Sequence, residues 1–211
     1  MKVCEIFSSI QGESTYAGVP CTFVRMTGCN LRCSYCDTVY AYEEGTELTE
    51  EEIMDKIQAI GLKTVEMTGG EPLLQEGVAS LVKKLLDKGH RVLIETNGSQ
   101  DIGGIDRRAV IILDIKTPGS GMSDKVMLSN LTLLKPEDEV KFVIAGRDDY
   151  EWAKNFIREH SVMGRCAILF SPAFGMLDPQ DLSKWILKDR LEVRLNLQLH
   201  KYIYGPDVRR A

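Results

Sequence analysis

Strand and helix patterns alternate along this chain, and that alternation limits its fold more than any other feature. Apolar runs predict strands over residues 22–27, 64–68, 91–96, 110–116, 139–144, 167–170 and 192–199. Strands that alternate with helices form parallel sheets, and near-continuous apolar runs are typical of strands buried on both faces. About six parallel strands are too few to close an eight-stranded barrel, so we expect an α/β fold with an open, partial (β/α) barrel.

Helical patterns separate most of these strands. Thr49 followed by Glu52 is a capping-box signature and predicts a helix that ends near Gly61. Further helices are predicted up to residue 89, from about residue 148, and over residues 179–188. Residues 119–136 have weak periodicity, so we expect one helix of the alternating pattern to be shortened or replaced there.

Length and charge exclude some classes of protein. The 211 residues, 44% of them hydrophobic, fit one domain over residues 1–211. The 26 basic and 31 acidic residues give a net charge of −5 without a basic run, so we expect a small-molecule substrate and no nucleic acid. No run of about 18 apolar residues could span a bilayer. We expect a cytoplasmic protein that does not bind membranes.

A cysteine triplet narrows the chemistry. Cys29, Cys33 and Cys36 lie within eight residues. Structural zinc sites close their shell with four protein ligands, so a triplet without a nearby fourth thiolate indicates a metal centre with an open coordination position. An iron–sulfur cube held by three thiolates leaves its fourth iron unprotected in this way. The other cysteines are scattered singly, which argues against a disulfide framework, and we assign them no function: Cys4, Cys21 and Cys166.

Polar residues gather where the predicted strands end. The cysteine triplet follows the first predicted strand, and similar clusters follow or terminate other strands at residues 69–72, 97–98, 114–116, 171–174 and 198–200. In parallel α/β folds the loops at the carboxyl ends of the strands converge on the ligand. Gly69 and Gly70 let backbone groups approach a ligand directly, and Glu71 adds a carboxylate that suits a bound ammonium group.

The cysteine spacing, with Tyr35 just before the third cysteine, resembles the hallmark motif of the radical S-adenosylmethionine superfamily. Residues 69–72 resemble the motif with which that superfamily binds the methionine amino group. The resemblance implies a [4Fe–4S] cluster whose open iron is chelated by S-adenosylmethionine. It also implies a reaction in which the reduced cluster cleaves the sulfonium and the resulting 5′-deoxyadenosyl radical removes a substrate hydrogen.

A narrower resemblance rests on residues 7–14 together with residues around the cysteine loop and near the C-terminal end. These residues are Gly18, Pro20, Phe23, Arg25, residues 28–31, 36–38 and 198–201, and Gly205. Together they resemble the 7-carboxy-7-deazaguanine synthase family, and the match spans most of the chain. That resemblance implies a lyase that converts 6-carboxy-5,6,7,8-tetrahydropterin to 7-carboxy-7-deazaguanine with loss of ammonia, in the biosynthesis of 7-deazapurines such as preQ0 and queuosine.

The family resemblance also implies roles for individual residues. Substrate contacts are implied for Ile10, Gln11, Gly12, Glu13, Arg25 and Thr68. The Gln11 amide and the Glu13 carboxylate supply complementary groups to an aminopyrimidinone edge, and a planar guanidinium matches a carboxylate. Thr38 resembles the family's Mg²⁺ ligand. A single protein ligand is physically tolerable because Mg²⁺ commonly keeps waters and takes other oxygens from the substrate.

By the same resemblance, S-adenosylmethionine would contact Tyr35, Cys36, Asp37, Gly70, Asp114, Ile115, Lys116 and the turn formed by Ser171, Pro172, Ala173 and Phe174. The chain departs from the family at two of these places. Many members have Ser-Pro-Lys in place of residues 114–116, and some have Gln-Pro in place of residues 171–172. Backbone contacts survive such changes. His200, at the end of the last predicted strand, is a further candidate for substrate contact.

Two other functions are compatible with the cysteine triplet. A glycyl-radical-activating protein shares the triplet but acts on another protein, and the set of Gln11, Glu13 and Thr38 argues against it. A non-catalytic zinc or iron–sulfur binding module is the second, although no fourth thiolate lies nearby. The resemblance further implies a flavodoxin or ferredoxin as the electron donor. The open edges of a partial barrel lead us to expect a homodimer.

Overall fold

The computed structural model describes residues 1–206 and 208–210, over which nine strands join in one sheet. In chain order the strands are β1 (Lys2–Ile10), β2 (Pro20–Met26), β3 (Thr46–Glu47), β4 (Thr64–Gly69), β5 (Arg91–Thr96), β6 (Val110–Ile115), β7 (Glu139–Ile144), β8 (Ala167–Pro172) and β9 (Arg194–Leu195). The helices are α1 (Glu50–Ile60), α2 (Val78–Asp87), α3 (Asn130–Leu133), α4 (Arg147–Glu159), α5 (Pro179–Asp189) and α6 (Leu199–Tyr204). No helix within the described residues has the length and apolar character needed to cross a bilayer.

The sheet is parallel over most of its width and does not close. Its order is β3-β1-β2-β4-β5-β6-β7-β8-β9. Neighbours from β2 to β9 are parallel, whereas β1 pairs antiparallel with both β2 and β3. The expected open, partial barrel is confirmed. Because the parallel strands point the same way, the loops after them meet at one edge of the sheet.

One cluster of buried apolar side chains joins the helices to the sheet. Ile53 and Ile57 of α1, and Leu81 and Leu85 of α2, are fully buried against strand residues such as Met67. At the other end of the sheet, an aromatic group fills the space between the strands and helices α4 and α5: Phe142, Tyr150, Phe156, Phe170 and Trp185. Because the apolar faces of the helices cover one face of the sheet, polar residues can occupy the other face.

Two predicted strands differ from those in the structure. The strand predicted over residues 22–27 is present as β2, but its place as the first strand is wrong, because β1 precedes it and pairs with it from Val3 to Ile10. The charged Glu5 interrupts the apolar pattern of β1. It is nevertheless buried, since Arg25 Nε and Tyr40 OH donate hydrogen bonds to its Oε1 at 2.8 and 2.9 Å.

The last strand is also shorter than predicted. Of residues 192–199, only Arg194 and Leu195 pair with β8. Asn196 is still held to β8, since its backbone N–H bonds to Phe170 O at 2.9 Å and its side chain donates to Ser171 Oγ at 2.8 Å, but the pairing does not continue beyond it. The chain then turns into α6, which places His200 on a helix and not at the end of a strand.

The irregular stretch after β6 confirms the expectation of a missing helix. Residues 119–136 contain part of a 3₁₀ turn, Pro118–Ser120, and the four-residue α3. Elsewhere the predicted helices are present, and the capping box at the start of α1 is complete. Thr49 accepts from Glu52 N, Glu52 Oε2 accepts from Thr49 N at 2.8 Å, and Gly61 ends the helix in the left-handed region.

Replacement of the α1 cap tests how much local signals contribute to stability. Thr49→Ala removes the side-chain acceptor for the first turn, so we expect the free energy of unfolding to fall by about 1 kcal/mol, measured by urea denaturation. Ser129→Ala is the matched control, because the exposed Ser129 precedes α3 but makes no side-chain cap hydrogen bond. Equal losses from the two variants would contradict a stabilising role for the capping box.

Candidate active site

A cavity of about 610 Å³ lies at the carboxyl ends of the parallel strands. This volume is in the range of small-molecule sites, about 300–1,000 Å³. The predicted site residues that line it are Gln11, Gly12, Glu13, Arg25, Cys29, Cys33, Tyr35, Cys36, Asp37, Thr38, Thr68, Gly70, Asp114, Lys116, Ser171, Pro172, Ala173 and Phe174. Residues predicted from four distant parts of the sequence, within 11–38, 68–70, 114–116 and 171–174, therefore meet in one place.

Two predicted site residues do not line the cavity. Ile115 is fully buried, and its side chain belongs to the hydrophobic core. Ile10 is the last residue of β1, where it pairs with Pro20. Strand geometry explains both positions, because successive side chains point to opposite faces and the neighbours Asp114 and Gln11 take the cavity side.

The cysteine loop rests directly on the glycine turn that follows β4. Glu71 N donates to Gly28 O at 2.8 Å, and Gly70 N donates to Met26 O at 3.2 Å. A Cβ atom on Gly70 would lie only 2.1 Å from Gly28 O and 2.9 Å from Cys29 Cβ. Glycine at this position therefore lets two backbone segments approach each other and fixes the first cysteine next to the turn.

The three thiols of the triplet are half-buried on the cavity wall. Leu31 N and Asn97 Nδ2 donate to Cys29 Sγ at 3.4 and 3.8 Å. Burial raises the pKa of Cys29 and Cys33, so binding iron as thiolates would release protons. Among the described residues no three His, Cys, Asp or Glu side chains are grouped to hold a single ion. The triplet fits a cube nonetheless, because each thiolate of a cube binds a different iron.

Glu71 differs from its expected position. Its side chain is fully buried and is not part of the cavity wall. Its Oε1 accepts from Leu73 N and Thr96 Oγ1 at 3.0 and 2.7 Å, and its Oε2 accepts from Asn97 N at 2.7 Å. The carboxylate thus ties the turn after β4 to the end of β5. An ammonium ligand would meet the backbone of the glycine turn and not this side chain.

A buried lysine that the sequence reasoning missed lies at the centre of the cavity. The Lys141 ammonium contacts Glu13, lies 2.5 Å from Glu95 Oε1 and lies 3.7 Å from Asp114 Oδ2. Burial would lower the pKa of Lys141, but these carboxylates raise it well above its ordinary value. Burial would likewise raise the pKa of Glu13, but Lys141 outweighs this effect and the pKa lies below its ordinary value. Lys141 therefore stays charged.

Gln11 and Glu66 complete the floor of the cavity, which we define as Gln11, Glu13, Glu66, Glu95 and Lys141. Glu13 N donates to Gln11 Oε1 at 2.7 Å, and Gln11 Nε2 donates to Glu66 Oε2. Three members were missed: Glu66, Glu95 and Lys141. Each is a charged residue inside an otherwise apolar strand, and in a sheet buried on both faces that pattern indicates a polar interior.

The C-terminal helix closes one side of the cavity. Leu199 N donates to Gly12 O at 2.8 Å, and Gln198 Nε2 donates to Glu13 Oε1 at 2.7 Å. Lys201 Nζ donates to Asp37 Oδ2 at 2.6 Å, and this ammonium lowers the pKa of Asp37, whose side chain is half-exposed. His200 also lines the cavity, as the sequence suggested.

The Radical SAM superfamily profile matches residues 23–161, and the chain belongs to this superfamily. A [4Fe–4S] cluster and S-adenosylmethionine are the cofactors of such enzymes. Within the superfamily the chain belongs to the 7-carboxy-7-deazaguanine synthase family. It is 49% identical over 212 residues to the 7-carboxy-7-deazaguanine synthase of Chlorobaculum tepidum, covering 99% of this chain and 96% of the relative. It is 43% identical over 226 residues to that of Koribacter versatilis, covering 99% of both chains.

A solved structure agrees with the fold. The crystal structure of QueE from Escherichia coli superposes with a TM-score of 0.79 and covers 94% of both chains, at 21% sequence identity. At that identity the likeness concerns the fold alone. The family membership decides against the two alternatives that the cysteine triplet leaves open, a glycyl-radical-activating protein and a non-catalytic metal-binding module.

Gly70→Ala tests whether the contact between the glycine turn and the cysteine loop organises the cofactor site. The added Cβ must displace Gly28 and Cys29, so we expect less iron and sulfide per chain after anaerobic reconstitution and a stability loss of about 1–3 kcal/mol. Gly104→Ala is the matched control, because no atom lies within 4 Å of a Cβ built there. Full cluster content in the Gly70 variant would contradict the proposed packing.

Proposed function

We propose that this chain is a 7-carboxy-7-deazaguanine synthase, which converts 6-carboxy-5,6,7,8-tetrahydropterin to 7-carboxy-7-deazaguanine with loss of ammonia. The product leads to 7-deazapurines such as preQ0 and queuosine. One observation supports the proposal above the others. The cysteine triplet and the pair of Gln11 and Glu13 line the same cavity of about 610 Å³, so a cofactor and a bicyclic substrate can meet there.

Cys29, Cys33 and Cys36 are proposed as the cluster ligands. When bound, the cluster and S-adenosylmethionine would supply a 5′-deoxyadenosyl radical that removes a hydrogen from the substrate. The protein's part is to hold both molecules in one cavity. Leu31 N and Asn97 Nδ2 already donate to Cys29 Sγ, and such donors favour the thiolate form that binds iron.

The wall next to the triplet is proposed as the S-adenosylmethionine site. Tyr35, Asp37, Gly70, Asp114, Lys116 and the turn over residues 171–174 are its proposed contacts. Lys116 Nζ donates to Asp114 Oδ2 at 2.8 Å, so the two opposite charges compensate each other on this wall. Ile115 can contribute only through its backbone, because its side chain lies in the core. Ser171 Oγ accepts from Asn196 Nδ2 at 2.8 Å, and its O–H donor remains available to the cofactor.

The floor of the cavity and Arg25 are proposed to bind the pterin. Gln11 and Glu13 are held in fixed orientations by Glu66, Lys141 and Gln198, so they meet the substrate already positioned. Arg25 and Thr68 are proposed to complete the contacts. Glu5 accepts from Arg25 Nε, which fixes the plane of the guanidinium as two-point recognition of a carboxylate requires.

Thr38 is proposed as a Mg²⁺ ligand. Thr38 Oγ1 donates to Asp37 Oδ1 at 2.9 Å, so the hydroxyl proton points toward Asp37 and the lone pairs of Oγ1 remain for a cation. The ion would take its other oxygens from water and from the substrate carboxylate.

We also propose a flavodoxin or ferredoxin as electron donor, a homodimer, one domain over residues 1–211 and a cytoplasmic location. The continuous sheet from β1 to β9 supports the single domain.

Anaerobic turnover tests the proposed function. The reconstituted protein with reductant, S-adenosylmethionine, Mg²⁺ and 6-carboxytetrahydropterin should form 7-carboxy-7-deazaguanine, detected by mass. Cys33→Ala should form neither this product nor 5′-deoxyadenosine, whereas Cys166→Ala should retain both, because Cys166 does not line the cavity. Cleavage of S-adenosylmethionine without the deazaguanine would remove the proposed substrate, and undiminished cleavage by Cys33→Ala would remove the proposed cluster ligand.

Thr38→Ala separates the proposed Mg²⁺ role from cluster chemistry. We expect the Mg²⁺ concentration for half-maximal product formation to rise about tenfold or more, because the ion loses its protein ligand. In Thr38→Ser this Mg²⁺ concentration should stay at the wild-type value, since serine keeps the hydroxyl. Reductive cleavage of S-adenosylmethionine without substrate should be unchanged in both variants. An equal loss of cleavage and product formation in Thr38→Ala would show that the residue does not act through Mg²⁺.

A further inference from the structure

The floor of the cavity, taken together with the adjacent pair of Asp114 and Lys116, holds more carboxyl groups than cations. Glu13, Glu66, Glu95 and Asp114 lie around Lys141, and the second lysine, Lys116, is paired with Asp114. Like charges that share a buried site cannot all be ionised, so one carboxyl group keeps its proton. Among the ion pairs of the described residues, none includes Glu66, whose side chain is only 2% exposed. The proton therefore belongs on Glu66.

Hydrogen bonds determine which Glu66 oxygen carries that proton. Glu13 N must donate to the carbonyl oxygen of the Gln11 amide, so Gln11 Nε2 faces Glu66 and donates to its Oε2. Oε2 is therefore the acceptor oxygen of a carboxylic acid. The described residues make no hydrogen bond to Oε1, and Glu66 lines the cavity. The acid proton on Oε1 is free to meet a ligand.

We propose that Glu66 is a neutral carboxylic acid that donates a hydrogen bond from Oε1 to the bound substrate. Its acceptor would be a carbonyl oxygen or an unprotonated ring nitrogen of a fused pyrimidinone. This inference rests on the proposed function for the identity of the ligand. An ionised Glu66 could only accept hydrogen bonds, so the neutral acid selects for a ligand that offers an acceptor at this position.

The surroundings of Glu66 agree with this protonation state. Burial and the neighbouring carboxylates of Glu95, on β5, and Glu13, after β1, raise the pKa of Glu66 well above its ordinary value, although Lys141 on β7 opposes them. Cys21 on β2 is a neutral thiol on the same side, because burial raises its pKa as well. Ionisation of Glu66 at higher pH would remove the donor and place a negative charge without a cation of its own beside Glu95, which is paired with Lys141.

Two substitutions distinguish a neutral donor from an ionised acceptor. Glu66→Gln keeps a neutral group of the same shape with an N–H donor, whereas Glu66→Leu removes the donor. Substrate affinity is measured by equilibrium dialysis with the reconstituted enzyme, S-adenosylmethionine present and reductant absent. We expect the dissociation constant to rise about tenfold or more for Glu66→Leu, which corresponds to one lost buried hydrogen bond. For Glu66→Gln we expect it to stay within about twofold of the wild type.

The pH dependence gives a second readout that a structural role would not move. Wild-type affinity should fall as pH rises through the raised pKa of Glu66, because the neutral form is the donor. That decline should be absent in Glu66→Gln. Glu139→Gln is the matched control, because Glu139 is also buried with a raised pKa but lies outside the cavity wall, bound to Thr15. The substrate affinity of Glu139→Gln should match that of the wild type at every pH.

Infrared spectroscopy tests the protonation state without substrate. The difference spectrum between wild type and Glu66→Gln should contain the carbonyl stretch of a protonated carboxylic acid. Absence of this band, or a Glu66→Gln variant that binds substrate as weakly as Glu66→Leu while retaining the wild-type melting temperature, would overturn the inference. If the band is present but the wild type binds no carboxytetrahydropterin, the proposed function and the substrate-donor role both fail, and the neutral acid stands alone.

Discussion

The buried Lys141 ammonium holds together the part of the molecule on which function depends. From β7 it reaches Glu13 after β1, Glu95 on β5 and Asp114 on β6, so one cation ties together four segments. Buried ion pairs add little net stability, although removal of one partner costs about 3–5 kcal/mol. A core of the same size could be apolar. The charged interior is therefore explained by the polar ligand that the cavity is built to hold.

A second constraint brings the cofactor to that ligand. The absence of a side chain at Gly70 lets the turn after β4 touch the cysteine loop after β2, and Glu71 anchors the same turn to the end of β5. The cysteine wall is thereby fixed relative to the strands whose side chains form the floor. In a radical enzyme the reactive group must form close to the substrate and away from water. Two backbone contacts at the glycine turn and one buried lysine fix the cysteine wall and the floor close to each other, which meets the first of these needs.

The sequence predicted those parts of the fold that depend on local pattern. The apolar strands from β4 to β8, the capping box at Thr49 and the convergence of polar loops all follow from spacing. Elements that depend on distant partners were missed. Glu5 is buried in β1 because Arg25, Tyr40 and Arg210 bond to it, and Asn196 is held to β8 by its bonds to Phe170 and Ser171 and not by a longer strand.

The residues of the candidate active site divide in the same way, into those that local sequence pattern predicted and those that depend on distant partners. Its lining residues near glycines and cysteines could be predicted, since those residue types are unusual at strand ends. Glu66, Glu95 and Lys141 were missed, because their polar groups are acceptable inside strands only with partners from distant parts of the chain. Lys141 meets Glu95, and Gln11 bonds to Glu66. Glu71 was expected to face a ligand, but its hydrogen bonds to Thr96 and Asn97 turn it into the structure.

The central claim is that the cofactor and the substrate react within this one cavity. We expect the radical to take the hydrogen at C6 of the pterin, so substrate deuterated at C6 tests the claim most directly. Because loss of ammonia alone leaves the conversion redox-neutral, the hydrogen must return from 5′-deoxyadenosine, and S-adenosylmethionine is formed again. Our account predicts deuterium in the 5′-methylene group of the S-adenosylmethionine recovered after turnover and in any 5′-deoxyadenosine released, and none in Cys33→Ala. Formation of product while both molecules stay unlabelled would contradict the account, because another group would then have removed the hydrogen.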